Sequence, residues 1–275
     1  MKKTFFILST LFVVIIYPTI IIGQTTVSYH NQAINVKNFH TYQHLMDIEY
    51  EISIDYPISG PQPLCDSVRS YILKNIFFWN DLYNLEIKDK ILKVPQAEKD
   101  VNQLLETSGR KFFRAIMKLH ADDGFSTSHG YEQKIKLIDQ TTKYVSYGMD
   151  GYDYYGGAAH PYPWKSGVSF NHKNGKKIVW EDLFAQKDLK FLNPFIDYCL
   201  RAQYYAEYGD VEYFCDQSEL LDNASSPVLT QTGITVFFMA GAIGPYSLGQ
   251  PHCTIPYNII VDYMSPLGKS LTNQY

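Results

Sequence analysis

Ile48-Glu49-Tyr50-Glu51-Ile52-Ser53-Ile54-Asp55-Tyr56 alternates apolar and polar side chains over nine residues. A period of two puts the isoleucines and tyrosines on one face of a strand and the acids on the other. The stretch therefore predicts a half-buried β-strand. Pro57 and the cluster Ser59-Gly60-Pro61 end it. Upstream, residues 24 to about 44 are polar without clear periodicity, which reads as a leader or a short edge element. Downstream, Asp66 is placed to cap a helix with Val68, Tyr71, Ile72, Leu73 and Ile76 on its apolar side.

The pattern then switches period. From about Ala97 to His120, Val101, Leu104, Leu105, Ser108, Phe112, Ile116 and Met117 recur at helical spacing, which predicts a long amphipathic helix weakened at Gly109. Strands are expected at 130–139 and 142–150, and a hairpin at 168–180 around Asn174-Gly175. Glu181-Asp182-Leu183-Phe184 opens a helical region that resumes at 194–208. Val228-Leu229-Thr230 and Ile234–Phe238 read as strands, with a last strand from Cys253 to Tyr263. Strands and helices follow in mixed order, so the expected class is α+β: mixed or antiparallel sheets with packed helices, in two closely packed subdomains.

The N-terminus carries Lys2 and Lys3, then an apolar run from Phe5 to Ile22, then Gly23. This is the pattern of a signal peptide over residues 1–23, with an uncleaved membrane anchor as the alternative. Loss of the two lysines moves the formal net charge from −4 to −6, which disfavours nucleic acid and anionic membrane as partners. The expected location is extracytoplasmic: periplasmic or secreted, and membrane-tethered only if the segment is retained. Four cysteines in an oxidising compartment permit two disulfides in three connectivities. Cys199 with Cys215 closes a short loop and is the first choice; free buried thiols are the alternative. The 23 tyrosines fit half-buried positions on twisted strands, or a face that binds carbohydrate or protein.

The second notable stretch is Tyr154-Tyr155-Gly156-Gly157-Ala158-Ala159-His160-Pro161. Glycines and alanines leave a loop defined by its backbone, with an imidazole held before a proline. The run, taken with Ile52–Gly60, Lys177–Phe184, Leu229–Ile234, Gly244–Gly249 and Ile255-Pro256-Tyr257, resembles a known family. It is the extracytoplasmic domain pair of the lysozyme-sensing anti-sigma factor RsiV and of the non-catalytic part of PdaC-type peptidoglycan deacetylases. The matches come in the family's order and cover most of the chain after residue 46. This chain has one alanine more than the usual Gly-Gly-Ala-His run. The resemblance implies a leader at 24–45, a PdaC-like subdomain at 46–165 and an RsiV-like subdomain at 166–275. Met1, Lys2, Lys3 and Thr4 precede the apolar run, so no sigma-binding domain is expected ahead of it.

The chemistry-bearing residues are sparse. Asp122-Asp123-Gly124 and Ser126-Thr127-Ser128-His129 are a faint echo of deacetylase metal motifs, but the His-x-x-x-His that should complete them lies upstream at His40 and His44. A solvated loop explains the set better. Asp150, Asp153, His160, His172 and His252 are possible partners around one site, without a ligand spacing to support it. A histidine in a glycine-rich corner more commonly bonds nearby backbone and fixes the turn. No Gly-x-Ser-x-Gly elbow or phosphate-binding glycine loop is present. The expectation is a non-enzymatic binding module for cell-wall glycan or a lysozyme-like protein, with no cofactor and no metal. Its ligand-binding candidates are Tyr154, Tyr155, His160 and Tyr246. The alternatives are a polysaccharide-modifying enzyme that uses His160 with nearby carboxylates, and a structural envelope protein.

Overall fold

A computed structural model describes residues 33–82, 94–123, 128–185, 187, 189–208 and 215–274. The expected signal segment and the Gly124–Thr127 part of the deacetylase-like motif lie outside them. The alternating stretch is strand β2 (Ile48–Ser59), and it pairs antiparallel with the edge strand β1 (Asn35–Leu45) across a tight turn with Met46 at φ 56°. Of the two readings for the polar N-terminal segment, residues 35–45 take the edge element. Helices α1 (Gln62–Ile76), α2 (Phe78–Leu82) and α3 (Glu98–Asp123) follow. They carry the chain back along the sheet, so β3 (His129–Gln140) joins β2 in parallel. β4 (Tyr144–Tyr155) and β5 (Tyr162–Asn171) then add antiparallel, giving the order β1-β2-β3-β4-β5.

Side-chain alternation decides what each face meets. Ile48, Tyr50, Ile52, Ile54 and Tyr56 are all buried, as are Tyr131 and Ile135 of β3. They pack against Val68 and Ile72 of α1 and Val101, Leu105, Phe112 and Ile116 of α3. Ser108 lies on the same apolar helix face for a polar reason. Its Oγ accepts the Tyr50 hydroxyl at 2.7 Å and the Trp79 indole N–H at 3.3 Å, so two buried donors are satisfied by one side chain.

The second half builds another core. It contains α4 (Trp180–Leu183), α5 (Asn193–Tyr208), β6 (Val228–Leu229), β7 (Gly233–Phe237), β8 (His252–Pro256), α6 (Tyr257–Ile260) and α7 (Pro266–Thr272). The three strands form an antiparallel sheet in the order β6-β7-β8. Ile196 and Leu200 of α5 share its core with Ile234, Val236 and Ile255. The class is α+β, with one mixed sheet, one antiparallel sheet and packed helices.

β6 lies against the outward face of the first sheet at one end only. Ser146 Oγ donates to Leu229 O at 2.6 Å, and Leu229 N donates to Ser169 Oγ at 2.8 Å. Gly167 permits this approach, because a Cβ there would stand 2.5 Å from Val228 Cγ2. β5 runs from Tyr162 to Asn171 within the five-stranded sheet, so the sheet extends past residue 165. Residues 31–275 form one compact unit.

Several local expectations are corrected. Asp66 does not cap α1; the helix begins four residues earlier behind Pro61, and Asp66 accepts a bond from Gln62 inside it. A proline at the first helical turn fits the required φ and lacks an N–H that would have no partner there. Asn174-Gly175 does turn, with Gly175 at φ 69°, but the returning arm is reduced to the single bridge Phe170–Lys177. The last strand stops at Pro256, which opens α6 instead of continuing to Tyr263. Met117, expected on the buried face of α3, is 44% exposed.

Candidate functional site

The β4–β5 hairpin carries the glycine-rich run at its tip. Tyr154 and Tyr155 are the last residues of β4, and the turn closes with Ala158 N donating to Tyr155 O at 3.0 Å. Gly157 sits at φ 99° with open space around it, so its glycine serves backbone conformation and not packing. His160 is exposed. Its Nδ1 is 3.3 Å from Pro161 O, and its ring stacks on Tyr246 at 4.2 Å between centroids. The Tyr246 hydroxyl donates to Pro161 O at 2.8 Å. Two of the four sequence candidates, His160 and Tyr246, therefore meet at one exposed aromatic corner, while Tyr155 ends β4 opposite His129. Tyr155 is 47% exposed. Tyr154 faces a different space, described next.

The carboxylate that an acid–base role for His160 would need is engaged elsewhere. Asp153 is buried and its Oδ1 is 2.9 Å from His129 Nε2, also buried. The solvated-loop reading is thus corrected for His129, which lies on β3 with its ring edge-on to Phe112 at 5.6 Å. Its register decides this, since His129 opposes Tyr155 while Asp153 opposes Tyr131 one step along on the inward face. Sequence reasoning named both residues but in separate sets, because 24 residues separate them. Two other members of the proposed cluster have partners of their own: His252 lies 3.2 Å from the Tyr204 hydroxyl, and Asp150 faces outward near Lys134 and Lys165. Burial raises the Asp150 carboxyl and lowers the His252 imidazole from their ordinary values.

Above the His129–Asp153 pair lies an open cleft of about 420 Å³, lined in part by His44, Asp47, Glu49, Tyr152, Tyr154 and Pro161. It continues onto the uncovered end of the outward sheet face. There, the register sets Tyr42 beside Glu51, Glu51 beside Glu132, and Glu132 beside Tyr152. Tyr42 donates to Glu49 at 3.1 Å, and His40 Nε2 is 3.0 Å from Glu51. The Tyr42 and Tyr152 phenols are raised, through partial burial first and then the neighbouring carboxylates. Tyr42 is 53% exposed and Tyr152 40%. The face therefore carries exposed aromatic rings and mixed charge, with Lys134 ion-paired to Glu132, and sequence periodicity had already put Glu49 and Glu51 on it.

Replacing Asp153 with alanine leaves the buried His129 ring without its carboxylate. We expect Asp153→Ala to destabilise the fold by about 3 kcal/mol in urea titrations. Asp150→Ala on the outward face serves as the control. Equal midpoints for the two variants would contradict this reading of the pair.

Among the described residues, no group of three or more His, Cys, Asp or Glu side chains is arranged to hold a metal, and no helix is long and apolar enough to cross a membrane. Cys199 and Cys215 are free thiols, so the expected pair is not bonded; Cys199 instead packs against the core that holds Cys253 of β8. The physical reason is that α5 lies on β8 and faces Cys199 toward it.

Residues 181–258 match the family model described as a protein of unknown function, DUF3298. The matched span covers α4 through the start of α6, most of the second core. No curated protein matches the chain. A solved structure of a DUF3298 family member from Bacteroides fragilis NCTC 9343 superposes with a TM-score of 0.60 at 15% identity, over 88% of this chain and 98% of that one. A DUF3298 family protein from Pseudomonas aeruginosa PAO1 gives 0.56 at 12% identity, over 86% and 97%. These likenesses show a shared fold.

Proposed function

We propose that this is an exported, non-enzymatic binding module, carrying a DUF3298 domain, whose partner is a basic, lysozyme-like protein. One observation carries the reading: the open end of the outward sheet face sets Glu49 and Glu51 beside the exposed Tyr42, with exposed Tyr152 one strand further on and Glu132 between them held by Lys134. The Glu49 and Glu51 carboxylates steer a cationic partner, and the tyrosines beside them supply contact area at low entropic cost. The resemblance to the RsiV and PdaC-type domain pair supports the same partner. The aromatic corner of His160 and Tyr246 lies beside the tip of the same sheet and extends the candidate surface.

A second reading rests on the cleft, whose size and tyrosine-lined wall suit a sugar of cell-wall glycan. The two are separated by titration calorimetry with lysozyme and with soluble muropeptides. The first reading expects saturable lysozyme binding that weakens with salt and falls at least tenfold in a Glu49→Lys/Glu51→Lys variant. The second expects muropeptide binding that Tyr154→Ala abolishes and that salt leaves alone. Failure of both ligands to bind saturably overturns the proposal.

A further inference from the structure

We propose that Cys199 and Cys253 form a redox pair that closes to a disulfide tying α5 to β8, independent of the partner proposed above. The residues are 54 positions apart in the chain. The fold brings them together because α5 packs on β8 within the second core. Cys253 Sγ lies 4.0 Å from the Ile196 carbonyl of α5. Cys199 is three residues beyond Ile196 and therefore projects from the same helix face, one turn along. Both side chains belong to that core, and each thiol shifts the titration of the other across the contact.

Their environments divide the roles. Cys199 is half-buried, whereas Cys253 is 1% exposed. The neighbouring Cys253 thiol lowers the Cys199 thiol, and the same neighbour together with burial pushes Cys253 up. Cys199 is thus the attacking sulfur and Cys253 the resolving one. The oxidant is a disulfide, R–S–S–R. The Cys199 thiolate attacks one of its sulfurs, forming a mixed disulfide and releasing RS⁻. Cys253, losing its proton, attacks the Cys199 sulfur and releases the second RS⁻. Two cysteine thiols are oxidised and one external disulfide is reduced to two thiols. Cys215 competes poorly, since burial and the nearby Glu219 and Asp216 charges raise its thiol. Cys65 is buried in the other core.

The test equilibrates the reduced protein with glutathione disulfide under native conditions, then counts thiols in denaturant and maps linked peptides by mass spectrometry. The expected result is loss of two of the four free thiols, a mass lower by two hydrogens, and a Cys199–Cys253 linked peptide. Closing a loop of this length is expected to raise Tm by roughly 10 °C. Cys199→Ala, at a half-buried position, keeps its three thiols and shows no rise; Cys215→Ala behaves as the parent does. Four titratable thiols after oxidation, or a linked peptide joining Cys199 to Cys215, overturns the proposal.

Discussion

Raising the pH past 10 unfolds this protein in one cooperative step, and its buried tyrosines ionise with the unfolding and not before it. Tyr50, Tyr131, Tyr147 and Tyr257 are buried, and burial is the first cause that raises each phenol above its ordinary value of 10.0. Three of them also donate to fixed acceptors: Tyr50 to Ser108, Tyr147 to Asp55 O and Tyr257 to Thr230 O. Tyr71 is pushed up to about 12 by burial as well. The sign follows from proton linkage. A group whose folded pKa is raised contributes stability that is fully present below the unfolded pKa and is lost as pH rises through the folded value. Above pH 10 the unfolded chain gives up its phenolic protons while the folded chain retains them, so each such tyrosine costs about 1.4 kcal/mol per pH unit. Four of them remove roughly 6 kcal/mol by about pH 11, comparable to the whole stability of a typical domain. Tyrosinate absorbance and far-ultraviolet circular dichroism should change together. Smooth ionisation of most tyrosines near pH 10 with intact dichroism would refute the assignment.

Phe112→Ala is expected to be the most damaging single truncation, at about 4 kcal/mol and a Tm loss of roughly 10 °C. The ring is fully buried. Its centroid lies 5.0 Å from Tyr50, 5.3 Å from Tyr131, 5.7 Å from Trp79 and 5.6 Å from His129. These neighbours come from β2, β3 and the helical segment, and rigid rings cannot collapse into the space that alanine leaves. The lost ring also stands under His129, so the floor of the cleft loosens with the core. Met117→Ala, five residues along the same helix and 44% exposed, should stay within about 0.5 kcal/mol of the parent. Chemical denaturation of the two variants side by side decides the matter; similar losses would mean that the aromatic cluster is not the centre of the core.

Much of the fold could be read locally. The nine-residue alternation from Ile48 to Tyr56 named the buried face of β2 correctly at every position, because side-chain direction in a strand has a strict period of two. The periodicity of 97–120 located α3 for a similar reason, since a wide apolar stripe must be buried. Errors fell at boundaries. Pro61 and Pro256 each opened a helix where the sequence reading had placed a loop or a strand, since proline is neutral between ending one element and starting another.

The site was legible only in parts. Residue type and loop chemistry marked Tyr155, His160 and Tyr246, and the register of one strand marked Glu49 and Glu51. What each of them meets depends on contacts across 24 to more than 80 residues. Sequence alone determined the α+β class, the alternating faces and the presence of an exposed aromatic turn, all of which follow from short-range sterics and hydrophobic periodicity. Only the tertiary structure decided that Asp153 belongs to His129 and not to His160, that His160 leans on Tyr246, and that Cys199 meets Cys253. Such pairings are set by strand register and helix placement, which arise when the two cores pack, and no local pattern encodes them.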